Sequence, residues 1–253
     1  MNLSTNPGRV AGLLYLLLVA GGPLRLMVIP KTLFVRNDAS ATADNILAHE
    51  TLFRFGMASE IFCAVALVFL VLAFYRLFEG IDRRQAMLVV IFGGVMPACM
   101  NFFNVVNDAA ALLLMHGADV LAVIDKPQRD ALAVLFLRLH YHESVASETL
   151  WGLWLLPLAI LVYRSRFVPR LIGVWLAING VAYVALSVTG LLLPQYVDRA
   201  WSLAYPALLG EIALMLWLVI KGVSQQALGT TASLRTTASA EPGRSGGGAA
   251  NPL

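Results

Sequence analysis

The chain has 253 residues, 59% of them apolar and only 13% charged, with a mean hydropathy of +0.76. Soluble domains carry about 25% charged residues, so the composition excludes an ordinary soluble enzyme. The net charge of +3 is spread over dispersed Lys and Arg, which leaves no basic run for a nucleic-acid partner.

About 20 apolar residues cover the hydrocarbon core of a bilayer. Six segments meet that length, at about residues 10–29, 55–75, 86–108, 143–163, 171–193 and 204–220. Lipid cannot satisfy open backbone groups, so all six are expected to be helices. The expectation is an all-α, polytopic six-helix transmembrane domain over residues 1–222. Residues 223–253 are rich in Ser, Thr, Ala and Gly, cannot bury a core, and are expected to form a disordered cytoplasmic tail.

The first span follows Arg9 and carries a Gly21-Gly22-Pro23 break just before Arg25. It lacks an A-x-A cleavage site and stays apolar to Ile29, so an uncleaved span is expected rather than a signal peptide. Pro30 to Arg54 is polar, with helix-cap character at Ser40 and Asp44. Glu50 and Arg54, at i and i+4, suit an ion pair at the start of the second span, and Glu60 lies on another face. The third span stays apolar as far as Met115 and carries Pro97, Asn101, Asn104 and Asp108 at spacings that mark one face. After Asp125-Lys126-Pro127, an apolar run could extend the fourth helix outward. That helix places His140, Glu143, Ser144, Ser147, Glu148 and Trp151 on one face. The fifth span offers Asn179, Tyr183 and Ser187, and the sixth offers Glu211. Cys63 and Cys99 lie in apolar blocks, form no CxxC pair, and read as packed residues.

Lys and Arg in the connections set orientation. With the N-terminus inside, the cytoplasmic segments hold Arg9, Arg76, Arg83, Arg84, Arg164, Arg166, Arg170, Lys221, Arg235 and Arg244. The outer ones hold Lys31, Arg36, Lys126, Arg129 and Arg199. Both termini are therefore expected in the cytoplasm. On that topology Arg25, Arg54, Glu60, Asn104, Asp108, His140, Glu143, Glu148 and Glu211 fall in the outer half, over an apolar inner half.

Ionisable groups at membrane depth face a partner or a cavity. An outward-facing polar pocket is expected from Arg25, Arg54, Glu60, Asn101, Asn104, Asp108, His140, Glu143, Ser144, Glu148 and Glu211. Its carboxylates outnumber its arginines, Arg138 included. Such a pocket would take a small polar or cationic ligand, or protons. Two alternatives stay open. His140, Glu143 and Asp108 could hold a metal in an intramembrane hydrolase or transferase acting on lipid. The polar groups could also be interhelical glue in a structural or regulatory subunit. No HExxH, GxSxG or CxxCH motif is present.

Trp151-Gly152-Leu153-Trp154-Leu155-Leu156-Pro157, then Leu161-Val162-Tyr163-Arg164-Ser165 and Pro169-Arg170-Leu171-Ile172-Gly173, carry a resemblance. So do Arg9 to Tyr15, Arg54, Glu211, and Leu216 to Gly222. Over roughly residues 8 to 223 the chain resembles the bacterial integral-membrane family catalogued as domain of unknown function 4386. That resemblance implies a multi-pass protein of a bacterial plasma (inner) membrane, with the lipid bilayer as its partner. It implies no activity and no cofactor.

Overall fold

The computed structural model describes residues 6–223, and the tail expected to be disordered lies outside them apart from its first residue. Among the described residues there are seven helices and no strand. They are α1 (Pro7–Leu33), α2 (Ala39–Ala48), α3 (Glu50–Phe78), α4 (Arg83–His116), α5 (Lys126–Ser165), α6 (Arg170–Leu192) and α7 (Pro194–Ile220). All except α2 are long and apolar enough to cross a membrane. Large apolar side chains such as Phe69, Phe103, Val106 and Leu171 are exposed, as lipid-facing surfaces require. The chain is a multi-pass membrane protein.

Polar caps extend these helices beyond the apolar stretches. Asp125 accepts a hydrogen bond from the Gln128 N–H at 2.9 Å, so α5 starts at Lys126 rather than near Glu143. At 40 residues it is about 60 Å long, twice the hydrocarbon thickness, and its first turns stand outside the core. Asp38 caps α2 by accepting from the Ala41 N–H at 2.8 Å. Ser40 and Asp44, read as caps, lie inside that helix. Asp82 caps α4 in the same way.

The spanning helices close a ring in the order α1, α3, α4, α5, α6, α7 and back to α1. The side chain of Asn6 completes the closure. Its Oδ1 caps α1 through the Arg9 N–H at 3.2 Å and accepts from the Val223 N–H, just past α7, at 2.8 Å. Both ends of the described chain therefore lie at one end of the bundle, the terminal end, with α2 at the other.

Apolar packing falls into two clusters. At the terminal end Phe74, Phe78, Leu155, Leu158, Leu176 and Leu214 belong to one continuous core. At the α2 end Ile29, Leu33, Ile46, Phe53, Met115 and Leu137 belong to a second. The apolar floor expected beneath the polar groups is present, but those groups are also roofed on the α2–α3–α4–α5 side.

Two helices are irregular at the level of the polar layer. In α1 the Gly21-Gly22-Pro23 break does not unwind the helix. It leads into a π-helical turn, Leu24–Val28, that carries Arg25. In α4 a π-helical turn, Ile91–Val95, precedes Pro97. Such turns insert a residue into the helical register and recur at functional sites.

Small residues set the closest contacts. A Cβ on Gly152 of α5 would lie 2.4 Å from the Gly180 carbonyl oxygen of α6, which is backbone and cannot yield. A Cβ on Gly22 would meet nothing within 4 Å. Gly152→Ala should therefore lower stability by about 1–3 kcal/mol through overpacking, and Gly22→Ala should be neutral or stabilising. Thermal unfolding of the two variants in detergent checks the ordering, and equal melting temperatures would contradict it.

Candidate functional site

The polar layer is organised around one buried ion pair. The Arg25 guanidinium of α1 donates from Nε to Asp108 Oδ2 at 2.8 Å and from Nη2 to Oδ1 at 2.6 Å. The two side chains are 5% and 0% exposed, so solvent does not screen them. The bidentate fork fixes the relative rotation of α1 and α4. The guanidinium also lies 5.7 Å from the centre of the Phe53 ring of α3.

His140 of α5 joins the pair through Nδ1, 3.0 Å from Arg25 Nη2 and 3.1 Å from Asp108 Oδ1. Its Nε2 lies 3.8 Å from Glu60 Oε2 of α3. Neither of those two atoms has a hydrogen-bond partner among the described residues. Four spanning helices therefore meet at one knot.

Two further groups flank it. Glu143 accepts from Ser147 Oγ at 2.7 Å and from the Asn104 amide nitrogen of α4, which also reaches Ser144 Oγ at 3.4 Å. Glu211 of α7 accepts from the Tyr15 hydroxyl of α1 and from Asn179 Nδ2 of α6 at 3.1 Å. The buried oxygens Asn104 Oδ1 and Asn179 Oδ1 have no donor among the described residues.

A cavity of about 230 Å³ lies among these groups. Glu60, Glu143 and Glu211 line it, together with Arg25, Asn101 and Ser144. Tyr15, Trp151, Trp154 and Tyr183 supply aromatic walls. Tyr15 and Trp154 have ring centres 6.0 Å apart, and Trp151 meets Tyr183 edge-on at 5.8 Å. A larger cleft of about 1730 Å³ adjoins the cavity and runs between the α2-end halves of α1, α5 and α7. Glu148 and Arg138 line the cleft.

The expected site residues thus fall into distinct places. Arg25, Asp108, His140 and Glu60 form the knot. Asn104, Glu143, Ser144 and Glu211 form its flanks. Asn101 lines the cavity, and Glu148, which is buried, faces the cleft. Arg54 is not among the cavity or cleft residues. It is largely exposed and donates to Glu50 at 2.6 Å near the α2 end. Among the described residues, the acidic and imidazole groups whose ligand atoms converge within 4.8 Å are Glu60, Asp108 and His140, with Glu60 where Glu143 was expected. The Arg25 guanidinium already supplies a cation to Asp108 there, and Glu143 is engaged by Asn104 and Ser147.

Sequence reasoning missed Tyr15, which is buried and holds Glu211. A signal was available. Ala11, Tyr15, Leu18, Gly22 and Arg25 repeat at four- and three-residue steps, so Tyr15 shares the face that carries Arg25. Trp154 was noted only as part of a family motif.

Comparison with known families supports the reading of the chain as a whole. The model of a domain of unknown function, DUF4386, matches residues 10–222. The chain belongs to this family. No curated protein and no solved structure matches it. The matched region contains every residue of the cavity and of the knot, so the polar layer lies within the family domain.

Removing the cation from the knot tests its structural weight. Arg25→Met would leave the buried Asp108 with only His140 Nδ1 beside it, at a cost of about 3–5 kcal/mol. Adding Asp108→Leu should recover most of that loss. Unfolding of wild type and both variants in mixed detergent gives the comparison. A double variant as unstable as the single one would show that the ion pair is not what joins α1 to α4.

Proposed function

We propose that this protein binds a small organic cation, an amine or quaternary ammonium, in the cavity between α1, α3, α4, α5, α6 and α7. The observation that carries the reading is the unfilled acceptor capacity of the cavity wall and of the polar layer around it. Four of the cavity's hydroxyl donors are committed, Tyr15 to Glu211, Ser147 to Glu143, Ser144 to the His140 carbonyl and Ser59 to the Gly56 carbonyl, and the fifth, Tyr183, interacts with Glu211. On the cavity wall Glu60 Oε2 lacks a donor, in the surrounding layer Asn104 Oδ1 and Asn179 Oδ1 lack one, and the unpartnered His140 Nε2 is turned to Glu60 at 3.8 Å. Buried acceptors require a donor or a cation.

Charge points the same way. Glu60, Glu143 and Glu211 line the cavity, and the arginine that lines it is already neutralised by Asp108. Carboxylates beside Tyr and Trp faces suit an ammonium group, which gains from both the charge and the ring quadrupoles. The volume suits a molecule of a few heavy atoms.

The distribution of Lys and Arg supports placing the α2 end outside and both termini in the cytoplasm. The resemblance to bacterial sequences supports a plasma-membrane location. On this placement the cleft opens toward the outer leaflet, and the protein acts as a carrier, receptor or accessory subunit for the cation.

Tetramethylammonium is a suitable probe. Calorimetric titration of protein in lipid nanodiscs should show saturable binding, with acetate giving none. Glu211→Gln keeps the size and one of the two acceptor oxygens but removes the charge, and it should weaken binding at least tenfold. A folded wild type that binds neither tetramethylammonium nor methylammonium would overturn the reading in favour of a purely structural polar layer.

Sidedness has its own test. With Cys63 and Cys99 replaced by alanine, Asp44→Cys on α2 should react with a membrane-impermeant maleimide in intact cells. Labelling that required lysis would reverse the placement.

A further inference from the structure

We infer that the ligand is amphiphilic: its ammonium head occupies the cavity, its hydrocarbon tail lies in the adjoining cleft, and it enters sideways between α1 and α7. This rests on the cation reading and adds the tail and the route.

The geometry of the α1–α7 seam supplies the route. At the terminal end the two helices touch closely, where a Cβ on Gly12 would lie 2.7 Å from the Val219 nitrogen. Farther along, the Tyr15–Glu211 hydrogen bond is a cross-link between them. Beyond it α1 passes through the π-helical turn and leans on α3, and the space between α1 and α7 is the cleft. The seam is therefore shut at one end and parted at the other.

Cavity and cleft share walls. Val19, Gly22 and Leu26 of α1, Trp151 of α5, Tyr183 of α6 and Glu211 of α7 line both. On the α1 side Gly22 lies on the shared wall, and a Cβ there would meet nothing within 4 Å. A leucine there would stand in the passage.

The character of the cleft supplies the tail. Its lips on α1 carry the exposed residues Leu26 and Met27, and those on α7 carry Tyr205, Leu209 and Ile212. Within a membrane these lips meet lipid, so an alkyl chain passes between them without leaving an apolar medium. The volume of about 1730 Å³, several times that of the cavity, exceeds what a small ammonium ion alone needs. Glu148, buried on α5, gives the head one carboxylate along the cleft before it reaches Glu211. Arg36, Asp38, Arg138 and Asp198 lie on the same cleft, and long charged side chains there reach the aqueous boundary.

The test compares decyltrimethylammonium, below its micellar concentration, with tetramethylammonium and with decanol, on protein in nanodiscs, using empty nanodiscs to subtract partitioning. The tailed cation should bind at least tenfold more tightly than tetramethylammonium, and decanol should not saturate. Gly22→Leu, on the wall shared by cavity and cleft, should lower the affinity of the tailed cation more than that of tetramethylammonium. Leu209→Trp, on the exposed lip where the fold tolerates bulk, should reduce the tailed probe alone. Equal affinities for the two cations, or a tail advantage unchanged in both variants, would overturn this inference and leave the cation site standing. Loss of binding to both cations in the wild type would instead remove the reading on which it rests.

Discussion

Arg25 and Asp108 are distant in sequence and lie on helices that do not adjoin in the ring, yet their side chains meet with almost no exposure. Either charge alone at that depth is costly, and together they hold two spans at one rotation and one height. His140 then docks on the pair, and Glu60 faces His140. The direction in which α3, α4 and α5 present their remaining polar groups follows from this knot. With α1 rotated by one residue, Tyr15 would lose Glu211 and Gly22 would leave the passage.

On the proposed reading the knot also sets the sign of the cavity. Because Asp108 neutralises Arg25, the cation that lines the cavity is already satisfied, and Glu60, Glu143 and Glu211 are left to set the local potential. Two apolar clusters, above and below, keep this layer thin. A thin layer between dry clusters is a strong setting for electrostatics, since little water competes for the carboxylates. It also prevents the cavity from opening along the bundle axis on the α2–α3–α4–α5 side, which leaves the cleft beside α1 and α7 as the wider approach.

Much of this was legible in the sequence because membrane helices are strongly periodic. The span count followed from apolar length, and the stripe Asn101, Asn104, Asp108 and the face of His140 to Trp151 followed from the helical repeat. What could not be read was the rotation of one helix against another. Glu60 and Glu143 both sat at the right depth, and only packing decides that Glu60 faces His140 while Glu143 turns to Asn104 and Ser147. The π-helical turns in α1 and α4 depend on hydrogen-bond slippage that residue types near Pro23 and Pro97 permit but do not specify. Tyr15 was passed over because a tyrosine in an apolar run reads first as packing. Arg54 was drawn into the site by depth alone, although its pairing with Glu50 at i and i+4 already satisfied it.

The same inventory bears on the proposed binding reading. A nucleophile needs a hydroxyl whose proton a neighbouring base can take while its oxygen faces substrate. Ser144 donates to a backbone carbonyl within its own helix, which is a local structural bond. His140, the natural general base, is held at Nδ1 by the ion pair, with its other nitrogen turned to Glu60. Ser147 and Glu143 are in contact, but the second Glu143 oxygen is taken by Asn104, so that carboxylate is held as an acceptor on two sides. The polar groups are arranged to hold one another still and to leave acceptor oxygens unfilled. Such an arrangement of carboxylates and aromatic faces is what supports the proposed reading of a cation site.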